Sequence, residues 1–232
     1  YKADPKMAAQ VAEGMALETA FFRLNCRKPP FSDVRVRRAF SLAIDREILA
    51  KRVVQADTAA SALTPPDTAG YTPERSLKMD VDEARRLLAE AGFPGGQGFP
   101  AIEVPFYVFY GSEQPVLEAV QQMLRAHLGI TVSLVKQESK TVVTARNTGN
   151  YHILAGKWLG DYLDPTTFLD LLATDNGNNR TGWSDARYDR LLAEAALART
   201  TEERFARLRQ AEALMLAEAP VIPLYYQPQR VL

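Results

Sequence analysis

The chain has 232 residues, of which 47% are apolar and 24% are charged, an ordinary balance for a globular protein with a buried core. Lys plus Arg and Asp plus Glu each total 28, so the net charge is zero and no nucleic-acid partner is predicted. No stretch approaches the ~20 consecutive apolar residues of a membrane span. The single cysteine, Cys26, excludes an internal disulfide and a multi-cysteine metal site.

The first third of the chain predicts a strand followed by helices. Residues 17–24 carry β-prone bulk, and Pro29-Pro30 then breaks regular structure. Ser32 or Asp33 can cap a helix that continues to about Val54. Its predicted buried stripe recurs every four residues, at Val36, Phe40, Ile44 and Ile48.

The middle of the chain alternates helices and strands. Asp80 and Glu83 have capping-box spacing for a helix that ends near Gly92. A flexible loop, residues 95–98, is then predicted. A strand over 101–109, a helix over 114–128 and a strand over 130–134 follow.

The last third predicts a strand over 151–158, a short helix over 165–172 and two longer helices. Ser184 is predicted to cap the first, over 185–198, and Thr200 the second, to about 218. Residues 221–226 form an edge or crossing strand because Pro223 interrupts the run. This order predicts one α/β domain over residues 1–232, a mixed β-sheet with helices on both faces.

Catalytic templates fit the sequence poorly. Ser184 stands in a near match to the G-x-S-x-G elbow, but Ala186 replaces the last glycine. His127 and His152 belong to no metal-binding pattern, and structural roles are expected for both. No cofactor and no metal are predicted, and an α/β hydrolase is kept only as an alternative.

Two aspartates follow the predicted strand 151–158, where ligands bind in open α/β sheets. Asp164 precedes Pro165, so it is interpreted as a helix cap. Asp161 has no such local role and lies beside Trp158 and Tyr162. A carboxylate among aromatic rings suits an ammonium group, although a plain surface aspartate fits the local chemistry equally well.

Several segments, in this order, resemble the family 5 extracellular solute-binding proteins, the oligopeptide- and dipeptide-binding proteins of ABC importers. The resemblance covers nearly the whole chain from about residue 17, and the ordered set is specific although no single motif is. The matching segments are 25–40 (NCRKPPFSDVRVRRAF), 84–93 (ARRLLAEAGF), 158–165 (WLGDYLDP) with Phe168-Leu169, 177–179 (GNN), Tyr188-Asp189 with Leu191-Leu192, and 219–226 (APVIPLYY).

The resemblance implies an exported, periplasmic or extracellular protein whose two lobes close on a short peptide. It implies that this chain is the C-terminal lobe, with hinge-proximal strands near 17–24 and 221–226. The partners would be short peptides, an N-terminal lobe that this sequence does not contain, and an ABC permease. The start at Tyr1 fits that reading. Related ligands such as nickel complexes, haem, sugars or antimicrobial peptides stay open, as does a receptor role.

Site residues are also implied. Asp161 matches the position that holds the peptide α-ammonium, and Arg146 resembles a basic residue that takes the C-terminal carboxylate in some members. Ala155 departs from a second arginine found in some members, with Lys157 the nearest basic residue. The full set of candidate ligand-binding residues is Arg146, Gly156, Lys157, Trp158, Leu159, Gly160, Asp161 and Tyr162.

Overall fold

The computed structural model describes residues 12–55, 58–74, 77–108 and 111–231. The described strands are β1 (Ala12–Leu24), β2 (Ile102–Phe106), β3 (Val132–Lys136), β4 (Ile153–Leu159) and β5 (Val221–Val231). The helices are α1 (Val34–Leu42), α2 (Arg46–Ile48, continued by a π-helical turn Leu49–Val54), α3 (Val81–Glu90), α4 (Glu113–Leu128), α5 (Ser139–Thr148), α6 (Thr166–Leu169, continued by a 3₁₀ turn Asp170–Leu172), α7 (Ala186–Ala196) and α8 (Thr201–Glu218). A further 3₁₀ turn covers Pro94–Gly96.

The described strands pair in two sheets. One is antiparallel in the order β4-β1-β5, and the other is the parallel pair β2-β3. Within the first sheet Arg23 lies opposite both Leu154 of β4 and Val221 of β5. The predicted α/β class with parallel and antiparallel strands is therefore confirmed.

Helices cover both faces of the central strand β1, because its side chains alternate between two hydrophobic cores. Phe22 and Leu24 pack into the larger core with α1, α3 and α4. Phe21 packs on the other side with α6, α7 and α8. Trp183 belongs to this second core, with its ring edge-on to Tyr188 at 5.1 Å.

The predicted long helix to Val54 is interrupted. Helix α1 ends at Leu42, and Asp45 starts α2 by accepting a hydrogen bond from the Ile48 backbone N–H at 3.0 Å. The break places the Arg46 side chain in the interior and leaves Ile48 49% exposed, so the predicted apolar stripe ends at Ile44. A four-residue spacing fits a continuous helix and two helices joined by a turn equally well.

Other boundaries differ in smaller ways. Helix α5 was not predicted; one of its residues, Val142, is buried, so its sequence shows little amphipathic period. Helix α7 is capped by Asp185 and not by Ser184 as predicted, because the Asp185 carboxylate accepts a hydrogen bond from Arg187 N at 2.8 Å. The strand predicted over 101–109 ends at Phe106, and residue 109 lies outside the described residues.

The glycine-rich loop 95–98, predicted to be flexible, packs tightly on the end of α4. Gly129 ends that helix with a positive φ of 69°, and a Cβ there would lie 2.4 Å from the Gly95 carbonyl oxygen. A Cβ on Gly96 would lie 2.7 Å from the Gly129 oxygen. The two glycine backbones therefore fit against each other, because neither has a side chain.

We expect Gly129→Ala to lower the free energy of unfolding by about 3 kcal/mol, since it adds a backbone clash to left-handed strain. Gly98→Ala is the matched control: its φ is 71° and nothing lies within 4 Å of the added Cβ. Strain alone should cost the control about 1 kcal/mol. Equal losses in urea unfolding would show that the contact with Gly95 contributes nothing.

None of the helices within the described ranges has the length and apolar character needed to cross a membrane.

Candidate ligand-binding site

A pocket of about 350 Å³ opens between the two sheets, beside β4. β4 is an edge strand, since β1 is its one hydrogen-bonded neighbour in the described sheet. Strand β2 and helix α5 form the opposite wall. The residues that line the pocket include Phe21, Arg23, Tyr107, Glu113, Arg146, Leu154, Gly156, Lys157, Trp158, Asn178, Arg180 and Tyr225.

Gly156 places no side chain on the pocket side of the edge strand β4. A Cβ at this position would lie 3.3 Å from the Phe21 ring and 3.5 Å from Nη1 of Arg23. Glycine therefore leaves room for the buried Arg23 side chain to reach the pocket from the neighbouring strand.

One end of the pocket is strongly basic. Arg23 is 7% exposed, and its guanidinium carbon lies 5.3 Å from the centre of the Phe21 ring. Arg146 from α5 and Arg180 line the same pocket, and both act electrostatically on Arg23. Burial, followed by repulsion from these two arginines, lowers the pKa of Arg23 to about 10, so it stays charged at neutral pH.

Lys157, further along β4, interacts with polar and acidic side chains of the protein itself. Its Nζ lies 3.0 Å from Gln227 Oε1 and 3.8 Å from Glu18 Oε1. Desolvation lowers the pKa of Lys157 while Glu18 and Glu113 oppose that shift. Lys157 therefore stabilises the pocket wall and is less available than the arginines to a negatively charged ligand.

Trp158 is half-buried at the end of the pocket. Its indole N–H donates to the Thr167 carbonyl oxygen at 2.6 Å, and its ring packs on the second core. This contact fixes the turn after β4 on helix α6. The tryptophan therefore orients the segment that follows it.

Residues 159–162 lie beyond the pocket wall on an exposed rim. Gly160 N donates to Leu17 O at 2.7 Å and Asp161 N donates to Thr167 Oγ1 at 2.9 Å, so the backbone is fixed. Leu159 is 62% exposed and Tyr162 is 50% exposed. The Asp161 side chain is exposed, and none of the described residues hydrogen-bonds to its carboxylate. The rim presents an ordered carboxylate to solvent.

Asp164 has the structural role predicted for it. Its Oδ1 accepts from Thr166 N at 3.0 Å, and both oxygens accept from Arg204, at 2.7 and 2.9 Å. Burial raises the pKa of Asp164, but the hydrogen bonds from Arg204 and Thr166 outweigh burial and leave the pKa below its ordinary value. The two aspartates are therefore distinguished by their surroundings.

The predicted site residues thus divide into two groups. Arg146, Gly156, Lys157 and Trp158 line the pocket, whereas Leu159, Gly160, Asp161 and Tyr162 form the rim. The sequence reasoning missed Arg23, Arg180, Tyr107 and Glu113. One signal was available for Arg23: it is a charged residue within the apolar run from Ala20 to Leu24, where a charge is unusual.

Ser184 and His127, two residues considered for a hydrolase, interact with other parts of the fold. Ser184 Oγ lies 3.0 Å from Thr174 Oγ1, and His127 Nδ1 lies 2.7 Å from the Ala43 carbonyl oxygen. Among the described residues no group of three or more His, Cys, Asp or Glu side chains has the arrangement of a metal site.

The described domain has an α/β fold with a pocket beside an edge strand, and sequence comparison identifies its family. Residues 1–180 match the family "Bacterial extracellular solute-binding proteins, family 5 Middle". The match covers well over half of the chain. The chain belongs to this family, which confirms the resemblance drawn from its segments.

Individual relatives cover nearly all of this chain. It is 35% identical to the periplasmic murein peptide-binding protein MppA of Escherichia coli over 93% of the chain and 41% of MppA. It is 34% identical to the probable deoxycholate-binding periplasmic protein YgiS of E. coli, over 91% of the chain and 40% of YgiS. The solved structure of E. coli MppA superposes with a TM-score of 0.88 at 34% identity, over 95% of this chain and 44% of MppA.

The chain therefore spans about two-fifths of the length of these relatives. Its fold is that of the corresponding part of a periplasmic binding protein.

Proposed function

We propose that this chain is one lobe of a peptide-capturing solute-binding protein of an ABC importer, acting outside the cytoplasmic membrane. The observation that carries the proposal is the pocket along the edge strand β4, with arginines near one end and the exposed Asp161 beyond the other. A short peptide has the complementary arrangement, an ammonium at one end and a carboxylate at the other.

The length of β4 agrees with this ligand. From Leu154, opposite Arg23, to Leu159 the strand covers five residue steps, or about 16 Å at ~3.3 Å per residue. An extended peptide of about five residues spans the same distance. Edge-strand backbone groups can pair with such a peptide irrespective of its side chains.

The proposal includes a second lobe. β1 and β5 lie side by side, pairing from Ala12 with Val231 to Arg23 with Val221, so the chain enters and leaves this domain along adjacent strands. A two-stranded connection of this kind suits a hinge, which we place near residues 17–24 and 221–226. The role is binding and delivery to a membrane permease, without catalysis.

A different ligand is the second candidate. The relative YgiS is described as a probable deoxycholate-binding protein, and deoxycholate is an apolar anion. A pocket with arginines at one end and apolar walls would accept such a molecule. The peptide is favoured because Asp161 would face no cation in a complex with a simple anion.

Titration calorimetry on the full two-lobed protein tests the peptide proposal. Asp161→Asn should weaken peptides with a free N-terminus by about tenfold or more, since a charge-assisted hydrogen bond is lost. N-acetylated peptides should bind both proteins equally. Asp82→Asn is the control, because Asp82 is a fully exposed carboxylate on α3 outside the pocket.

An equal loss for free and acetylated peptides would remove the ammonium role from Asp161. Failure of the wild-type protein to bind any peptide, together with deoxycholate binding, would replace the peptide by the second candidate.

A further inference from the structure

The basic end of the pocket holds more positive charge than one peptide terminus can neutralise. Arg23, Arg146 and Arg180 all line it. The groups acting on the charge of Arg23 are these two arginines and Tyr151, and no carboxylate is among them. Three guanidinium groups thus face one space with no internal counter-charge beside Arg23.

Arg23 is the unusual member of this group. Arg23 is only 7% exposed, and within the described part of the chain no oxygen accepts a hydrogen bond from its guanidinium, whose nitrogens are not fully buried and open onto the pocket. Buried polar groups are nearly always hydrogen-bonded, and a buried charge without a partner is costly. Other buried arginines here follow the rule: Arg46 donates to the Pro223 and Ser41 carbonyls, and Arg37 to the Glu218 and Phe31 carbonyls.

The direction of Arg23 explains where its partner must come from. The side chain lines the pocket, at the place that Gly156 leaves open. Its acceptor is therefore expected to arrive in the pocket with the ligand.

We propose that Arg23, Arg146 and Arg180 form a subsite for two carboxylates, which makes the protein select peptides with an acidic C-terminal residue. This rests on the proposed peptide-binding function. One carboxylate is the peptide terminus, and the other is the side chain of a terminal Glu or Asp. Arginine suits the task because its planar guanidinium can bind a carboxylate through two parallel hydrogen bonds.

The test compares peptides of three, four and five residues that end in Glu with the same peptides ending in Gln. The pairs have one shape and differ by one charge. Calorimetry on the two-lobed protein should give affinities at least about tenfold higher for the Glu peptides, as a hydrogen bond between charged groups provides. Arg23→Met should abolish this preference, so that the variant binds the Glu and Gln peptides with equal affinity.

A second measurement separates this role from a structural one. If Arg23 gains its hydrogen-bond partner only from a ligand, Arg23→Met removes a largely desolvated charge from the ligand-free protein and should raise the midpoint of thermal unfolding. If Arg23 stabilised the fold, the midpoint would fall. Arg180→Gln is a second variant with little expected effect on folding, because Arg180 is exposed, and it should reduce the Glu preference. Arg85→Gln is the control: Arg85 is exposed on α3 and does not line the pocket, so this variant should keep the preference.

The outcomes are distinct. Equal binding of Glu and Gln peptides by the wild-type protein would overturn the two-carboxylate subsite and leave peptide binding intact. No binding of either series would overturn the peptide function itself. A preference that survives both Arg23→Met and Arg180→Gln would show that the selectivity lies elsewhere.

Discussion

Replacement of Arg46 by methionine is expected to lower the free energy of unfolding by about 4 kcal/mol, because several buried acceptors lose their donor. Arg46 is 5% exposed, and its Nε donates to Pro223 O at 2.7 Å. Its two terminal nitrogens donate to Ser41, at 3.0 Å to the carbonyl and 2.8 Å to Oγ. Methionine preserves the volume but donates nothing.

This side chain joins the break after α1 to strand β5. Pro223 cannot donate a ladder hydrogen bond, and its carbonyl accepts one from Arg46. Burial lowers the pKa of Arg46 to about 10, so the guanidinium remains charged at neutral pH. The acceptors around it include two backbone carbonyls and the Ser41 hydroxyl. The charge-assisted hydrogen bonds offset that burial.

Urea unfolding of wild type, Arg46→Met and Arg38→Met measures the effect. Arg38 is the control, since it is largely exposed and its Glu83 contact is 3.9 Å long. Such a surface pair should contribute less than about 1 kcal/mol. If both variants lose the same stability, the buried hydrogen bonds of Arg46 do not contribute as argued.

Elements with a strong local signal could be predicted from sequence. Asp80 and Thr200 cap their helices as the capping-box spacing indicates, with 3.0 and 3.2 Å hydrogen bonds to the backbone N–H groups of Glu83 and Glu203. Gly129 ends α4 in the left-handed conformation expected for a C-terminal glycine. In each case the interaction lies within one turn, so the sequence contains all of it.

Features that depend on distant partners could not be predicted. The loop at Gly95 packs closely against Gly129, which lies far along the chain. Helix α5 exposes most of its residues and is held at the pocket wall by Val142, which packs with Tyr151 and Leu154. Neither fact has a periodic signature in the local sequence.

About half of the candidate site could be predicted from the sequence. The family resemblance indicated the run from Gly156 to Tyr162 and Arg146, and the structure places these along a pocket wall and its rim. In the sequence, Arg23 is distinguishable only as part of a β-prone run. Its role depends on strand pairing: β1 places Arg23 opposite Leu154 of β4, with its side chain reaching Gly156, and the alternation of β1 turns it away from Phe22 and Leu24.

The second large effect is expected at Glu212, a buried carboxylate on α8. Its Oε1 accepts from Leu63 N at 3.0 Å and Thr64 N at 2.8 Å, and its Oε2 accepts from the Tyr71 hydroxyl at 2.7 Å. Glu212→Ala leaves these three donors unpaired in the interior and should cost about 4 kcal/mol. Glu212→Gln keeps an acceptor for both backbone groups and should cost less.

The pH dependence identifies the titrating group. Burial raises the pKa of Glu212 to about 7, and the hydrogen bonds from Thr64, Tyr71 and Leu63 only partly oppose it. Because the folded-state pKa lies above the unfolded value, the folded protein holds the proton more tightly. This contribution to stability is complete below pH ~4.5 and is lost as pH rises through about 7.

Urea unfolding at pH 5 and pH 8 should therefore show the wild type losing about 2 to 3 kcal/mol relative to Glu212→Gln, which has no proton to exchange at this position. Other titrating groups are common to both proteins and cancel in the difference. Parallel stability curves for the two proteins across this range would mean that Glu212 is ionised in the folded state at pH 5. In that case the two backbone donors and Tyr71 would outweigh the cost of burying the charge.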